Sequence, residues 1–137
     1  MKAETVRTDS TGESRIPIGR VLVVDGEALI RWSLAEGLSA AGYEVHEAGD
    51  GSETLAYFQA DAAPFDLVLL DLELPDADGV SLLKRIRQIC PGCRVILMTA
   101  FGAPDTLQEA QKAGVHTVAP KPFQLERMVE MVRRALA

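Results

Sequence analysis

The stretch Leu67 to Gly79, LVLLDLELPDADG, constrains the fold more than any other part of the chain. An unbroken apolar run leads into Asp71 with no polar alternation, which fits a strand buried on both faces. Strands of that kind belong to parallel sheets covered by helices. The run then breaks into Pro75, Asp76, Asp78 and Gly79, which is turn chemistry. Asp71 is therefore expected at the C-terminal end of a central strand, on the rim where open α/β sheets hold their ligands. A merely structural buried aspartate is the plainer reading. It is weakened because three other strand-like runs also end in a polar or charged residue.

Those runs appear when the chain is taken in order. Residues 1–19 are polar and without periodicity, and are read as a disordered tail. Val21 to Val24 is a β-branched strand ending at Asp25. Glu27 to Ala41 is helical, with Ile30, Leu34, Leu38 and Ala41 on one face and Gly42 in the position that closes helices. Tyr43 to Ala48 is a second strand. Asp50 and Glu53 have capping-box spacing for a helix from Gly51 to about Ala60, with Leu55 and Phe58 on its inner side. After the strand 66–71, a helix over about 79–89 turns Leu82 or Leu83, Ile86 and Ile89 inward. Arg94 to Met98 is a strand running into Thr99. Asp105 to Ala113 is helical and stops at Gly114. Val115 to Ala119 is a strand running into Lys121. Gln124 to Leu136 is a last helix, burying Leu125, Met128, Val129, Val132 and Leu136. Strict alternation with short connections implies right-handed crossovers onto a parallel sheet. The expected fold is α/β: a flavodoxin-like doubly wound five-stranded parallel sheet, order 2-1-3-4-5, with five helices.

Composition narrows the class. At 137 residues, one domain with a real core is expected. A net charge of −6 speaks against nucleic-acid contact by this chain. No apolar run reaches membrane-spanning length. No signal-peptide pattern opens the sequence and it holds only two cysteines, so a cytoplasmic location is expected.

On such a sheet Asp25, Asp71, Thr99 and Lys121 share the C-terminal rim. Two carboxylates, a hydroxyl and an ammonium in one cleft suit a phosphoryl group. The carboxylates can hold a hard divalent cation such as Mg²⁺ through oxygen. Metal and lysine neutralise phosphoryl oxygens, the hydroxyl donates a hydrogen bond, and one carboxylate can serve as nucleophile and become an acyl phosphate.

Over residues 20–137 the chain resembles a two-component response-regulator receiver (response regulatory) domain. The motifs are VLVVDGE at 21–27, LVLLDLELPDADG at 67–79, VILMTA at 95–100 and KPF at 121–123. The runs IRWSL at 30–34 and MTAFG at 98–102 are similar to receivers of NtrC-like transcriptional activators. The resemblance implies that Asp71 is the phospho-acceptor, Asp25 an acidic-pocket residue, Thr99 the switch hydroxyl and Lys121 the phosphate-sensing cation. It implies that Mg²⁺ is held by Asp25, Asp71 and the backbone carbonyl of Glu73. A cis peptide before Pro122 is also implied. The implied function is a phosphorelay switch rather than an enzyme beyond its own aspartyl phosphorylation and slow dephosphorylation. The implied partners are a sensor histidine kinase or phosphotransfer protein, with a homodimer through the fourth helix, fifth strand and fifth helix.

Two positions depart from the family. A second acid usually follows Asp25 and contacts Mg²⁺; here it is Gly26, so metal binding is expected to be weakened. Val118 stands where an aromatic ring usually swings with the switch hydroxyl, and valine is short and stiff. These departures support an alternative, a phosphorylation-independent pseudo-receiver acting as a protein-binding module. A hydrolase of the haloacid-dehalogenase type also uses Asp, Thr or Ser, and Lys, but its DxD pattern would fall on the first strand, which here reads DGE.

Other residues have plainer readings. Cys90-Pro-Gly-Cys93 has redox spacing, but follows a helix and precedes a strand, the wrong end for dipole-stabilised thiolate. His46 and His116 lack partners at ligand spacing. Asp76 and Asp78 read as turn formers and a helix start. Phe101, His116 and Val118 could line an exposed partner face, and Trp32 reads as core cover.

Overall fold

The computed structural model describes residues 16–60 and 64–137. Most of the expected tail, residues 1–15, lies outside the described residues. Ile18 donates its amide to Gly42 O at 3.0 Å, and Gly19 O accepts from Glu44 N.

Five strands alternate with five helices: β1 (Arg20–Val24), α1 (Ala28–Ala40), β2 (Glu44–Ala48), α2 (Gly51–Ala60), β3 (Leu67–Asp71), α3 (Gly79–Ile89), β4 (Arg94–Thr99), α4 (Pro104–Lys112), β5 (Thr117–Pro120) and α5 (Leu125–Ala135). All strand pairs are parallel and the order is β2-β1-β3-β4-β5, as the alternation requires. The register sets Val24 beside Leu70 and Asp71 beside Met98, so neighbouring strands end together at one rim.

The period-two alternation of strand side chains divides the core into two layers. Val21 and Val23 of β1, with Leu67 and Leu69 of β3, point to the face covered by Leu34 and Leu38 of α1 and Met128 and Val132 of α5. Leu22, Val24, Val68 and Leu70 point the other way, to Leu82, Leu83 and Ile86 of α3 and Ala110 of α4. Both faces are covered, which is why β3 reads as a continuous apolar run.

The helix signals hold with local changes. Gly42 closes α1 at φ 107° and Gly114 follows α4 at φ 93°, backbone that side-chain-bearing residues avoid. Glu53 N–H donates to Asp50 Oδ1 at 2.8 Å, but the returning bond from Glu53 reaches Gly49 N–H, one residue before the position the motif specifies. Asp76 does more than form a turn. Its carboxylate crosses from the loop after β3 to accept Gly51 N–H at 2.7 Å and Ser52 N–H at 3.2 Å, satisfying free donors at the start of α2. Asp76→Ala is expected to destabilise the fold by about 1 kcal/mol, read as a fall of a few degrees in the thermal midpoint. Asp78 caps α3 as expected, accepting from Val80 N and Ser81 Oγ.

Three burial expectations are corrected. Trp32 is 56% exposed and Ile89 44% exposed, and Ala41 is exposed at the C-cap of α1. The strand expected from Val115 begins at Thr117.

Candidate functional site

The rim at the C-terminal ends of β1, β3, β4 and β5 gathers the four residues expected there. Asp25, immediately after β1, is fully buried; Asp71 ends β3 and is 2% exposed; Thr99 ends β4 and is buried. Lys121 follows β5, its amide donating to Thr99 O at 2.8 Å, and a cis peptide links it to Pro122. The Lys121 ammonium lies 2.9 Å from Asp25 Oδ2 and 3.4 Å from Asp71 Oδ2, one cation between two carboxylates. Backbone amides hold the other carboxylate oxygens: Glu27 N–H donates to Asp25 Oδ1 at 2.9 Å and Glu73 N–H to Asp71 Oδ1 at 3.0 Å. Arg31 fixes the turn after β1 by donating to Asp25 O at 2.7 Å.

One lysine does not balance two buried carboxylates. Burial, then repulsion from Asp25, raises the Asp71 carboxyl from 3.8 to about 6, against the opposing pull of the Glu73 amide and of Lys121. Burial pulls the Lys121 ammonium down, but its ion pairs with Asp25 and Asp71 win, so its pKa is raised. Asp25 Oδ2 is buried, and its partner among the described residues is the Lys121 ammonium at 2.9 Å.

A cleft of about 400 Å³ opens over this rim, lined by Gly26, Glu27, Asp71, Glu73, Phe101 and Lys121 among others. Gly26 lines it closely: a Cβ there would stand 3.3 Å from Pro75 Cδ, tight enough that the Pro75 loop would have to give by a few tenths of an ångström. The excess negative charge of two buried carboxylates over one lysine and the all-oxygen donor set fit a hard divalent cation. Among the described residues no three acidic, histidine or cysteine side chains converge to hold a metal unaided. Asp25, Asp71 and a backbone carbonyl such as that of Glu73 would have to share such an ion with water.

The Glu73 side chain was invisible to sequence reasoning. Its carboxylate crosses to the end of β4, accepting the Thr99 hydroxyl at 2.6 Å and the Ala100 amide at 3.1 Å. An acid two positions after Asp71 was the available signal, but only the loop geometry shows where it reaches.

The remaining candidates separate from the site. Cys93 is fully buried, and burial together with the neighbouring Cys90 pushes its thiol up to about 12, which removes thiolate character. His46 packs edge-on against Tyr57 and Phe65 and contacts Glu44 Oε2 at 2.7 Å. Val118 is partly buried against the core layer beneath α3 and α4, and Phe101 is 81% exposed.

The sequence and the fold match those of known proteins. The family model described as "Response regulator receiver domain" matches residues 21–133. The chain is 36% identical over 117 residues to sporulation initiation phosphotransferase F of Bacillus subtilis, covering 85% of this chain and 93% of that protein. It is 39% identical over 119 residues to the DNA-binding transcriptional regulator NtrC of Salmonella typhimurium, covering 87% of this chain but only 25% of that one. A CheY-like receiver domain from Methanospirillum hungatei superposes with TM-score 0.82 at 30% identity, covering 86% of this chain and 93% of the other. No helix among the described residues is long and apolar enough to cross a membrane. Two buried acids, a threonine hydroxyl, a lysine and a cis-proline stand together on a 2-1-3-4-5 sheet, and on that sheet and these matches the chain belongs to the response-regulator receiver domains of phosphorelay signalling.

Proposed function

We propose that Asp71 accepts a phosphoryl group from a histidine kinase or phosphotransfer protein, and that the modified chain presents an altered face to its partners. The observation carrying this is the Asp25–Lys121–Asp71 cluster at the floor of an open cleft. In the transfer, a carboxylate oxygen of Asp71 attacks phosphorus, the bond from phosphorus to the donor atom breaks, and the electron pair leaves with the donor. The Lys121 ammonium is already 3.4 Å from the acceptor oxygen and can follow the new negative charge. The Glu73 amide keeps the carboxylate oriented. Mg²⁺, when bound, would offset charge on the phosphoryl oxygens; Asp25, Asp71 and the Glu73 carbonyl would hold it, weakened by the glycine at position 26. Dephosphorylation is slow and the chain turns over no other substrate.

The match to phosphotransfer and regulatory proteins favours this switch over the phosphorylation-independent binding module. The altered face is that of α4, β5 and α5, which also supports a homodimer. With valine at 118 the signal leaves through Thr99 and the β4–α4 segment rather than by a swinging ring. The kinship with NtrC supports an output in transcription regulation carried outside these residues, in the cytoplasm and without nucleic-acid contact by this domain. The test is amide NMR with Mg²⁺ and beryllofluoride, a phosphoryl mimic. Shifts are expected at Thr99, Ala100 and Lys121 and across α4, β5 and α5. A spectrum unchanged at saturating reagent contradicts the proposal. Sedimentation of the same samples checks the dimer: a mass that does not rise with beryllofluoride contradicts it.

A further inference from the structure

The reaction above uses only the backbone of Glu73, yet its side chain makes two hydrogen bonds of its own at the rim of the cleft. The Thr99 hydroxyl donates to Oε2 at 2.6 Å, within the short range of charge-assisted O–H···O⁻ bonds, and the Ala100 amide donates to Oε1 at 3.1 Å. Thr99 Oγ1 in turn accepts Phe101 N–H at 3.2 Å, which leaves its single proton for Glu73. A hydroxyl and an adjacent backbone amide, across the cleft from Asp71, are the donors a phosphoryl group on Asp71 would need for its oxygens. Each has one proton, so neither can serve the carboxylate and a phosphoryl oxygen fully at once.

We propose that the Glu73 carboxylate is a resident stand-in for the phosphoryl group: it holds Thr99 and Ala100 in the unmodified chain and must leave before Asp71 can be phosphorylated. This rests on Asp71 being the acceptor. Two effects act in the same direction. The carboxylate occupies the donors, and its charge repels the incoming anionic group. Departure is easy because Glu73 is an exposed residue, so its side chain can swing into water without burying charge. Glu73 is thus a positioning residue that sets how readily the cleft admits a phosphoryl group and holds the switch hydroxyl in its resting place.

The test compares wild type, Glu73→Gln and Glu73→Ala at saturating Mg²⁺ with acetyl phosphate, following Asp71 modification by mass. Removing a charge-assisted contact should raise the rate by about tenfold in Glu73→Ala. Glu73→Gln, which keeps one acceptor but no charge, should fall between. Without phosphodonor, the Ala100 amide resonance should move upfield and exchange faster in Glu73→Ala. Equal or slower modification in Glu73→Ala, or an unmoved Ala100 amide, overturns the proposal while Asp71 stands as acceptor. No modification in any of the three chains overturns both.

Discussion

Asp71→Asn is expected to abolish phosphoryl acceptance and, at neutral pH, to stabilise the fold. The loss follows from chemistry: the amide has no nucleophilic oxygen of carboxylate character to form an acyl phosphate. The stabilisation follows from the strain on the charge. Burial and Asp25 raise the Asp71 carboxyl from 3.8 to about 6, so the folded state resists its ionisation. A carboxyl with a raised folded pKa binds more protons folded than unfolded between about pH 4 and 6, and stability falls as pH rises through that window. Above it the full penalty is present, on the order of 3 kcal/mol. Asparagine never carries the charge and can still accept the Glu73 amide. The variant should therefore melt several degrees above wild type at pH 7 to 8. The gap should narrow as pH falls from about 6 towards 4 and vanish below it, where wild type is protonated in both states. Calorimetry across that range decides the matter. A gap independent of pH would mean that Asp71 is not a strained charge. The same titration bears on reactivity, because the nucleophile must be ionised: at a fixed, limiting Mg²⁺ concentration, modification should slow as the pH is lowered.

Gly26→Asp carries the next largest effect, and its sign is opposite for stability and for metal affinity. The backbone at Gly26 is not in the left-handed region, so an aspartate can adopt it. A Cβ would stand 3.3 Å from Pro75 Cδ and 3.7 Å from Gly49 O, close enough that the Pro75 loop must give by a few tenths of an ångström. The added carboxylate joins Asp25 and Asp71 around one lysine. Without metal this third negative charge should lower the thermal midpoint. With Mg²⁺ it supplies a hard oxygen ligand and a full charge, and the dissociation constant should fall by about ten- to a hundredfold. At a given Mg²⁺ concentration the midpoint then rises further than in wild type, since a ligand that binds only the folded state stabilises it by RT ln(1 + [Mg²⁺]/Kd). Titration calorimetry measures the affinity directly. An unchanged or weaker constant would show that position 26 does not face the metal, and that the cleft is not short of a ligand there.

Much of this was legible in the sequence because it depends on periodicity and on where strands end. Apolar runs stopping at Asp25, Asp71, Thr99 and Lys121 specify one rim once the strands are parallel, and the structure sets those four side by side. Trp32 could have been placed correctly by the same logic. It lies two positions before Leu34, about 200° around the helix, which turns it away from the buried face. Ile89 falls seven positions after buried Leu82, about 20° from it around the helix, so its exposure comes from its place in the last turn of α3 and not from its angle. What no periodicity encodes is the reach of side chains from loops. Asp76 bonding the start of α2, and Glu73 bonding Thr99 and Ala100, both depend on how the segment after β3 folds back, with Glu73 bridged to Asp78. Polar residues in a turn segment look alike in sequence, and only their three-dimensional aim separates a turn former from a cap or from an occupant of the site.

The most direct measurement is intact-mass analysis of the wild-type chain after incubation with Mg²⁺ and a small phosphodonor, run beside Asp71→Asn. The predicted result is a single added phosphoryl group that forms slowly, maps to the peptide carrying Asp71, requires Mg²⁺ and is absent from the variant. A chain that stays unmodified at saturating Mg²⁺ and donor, or one modified equally in Asp71→Asn, would contradict the assignment of this cleft as a phosphoryl acceptor.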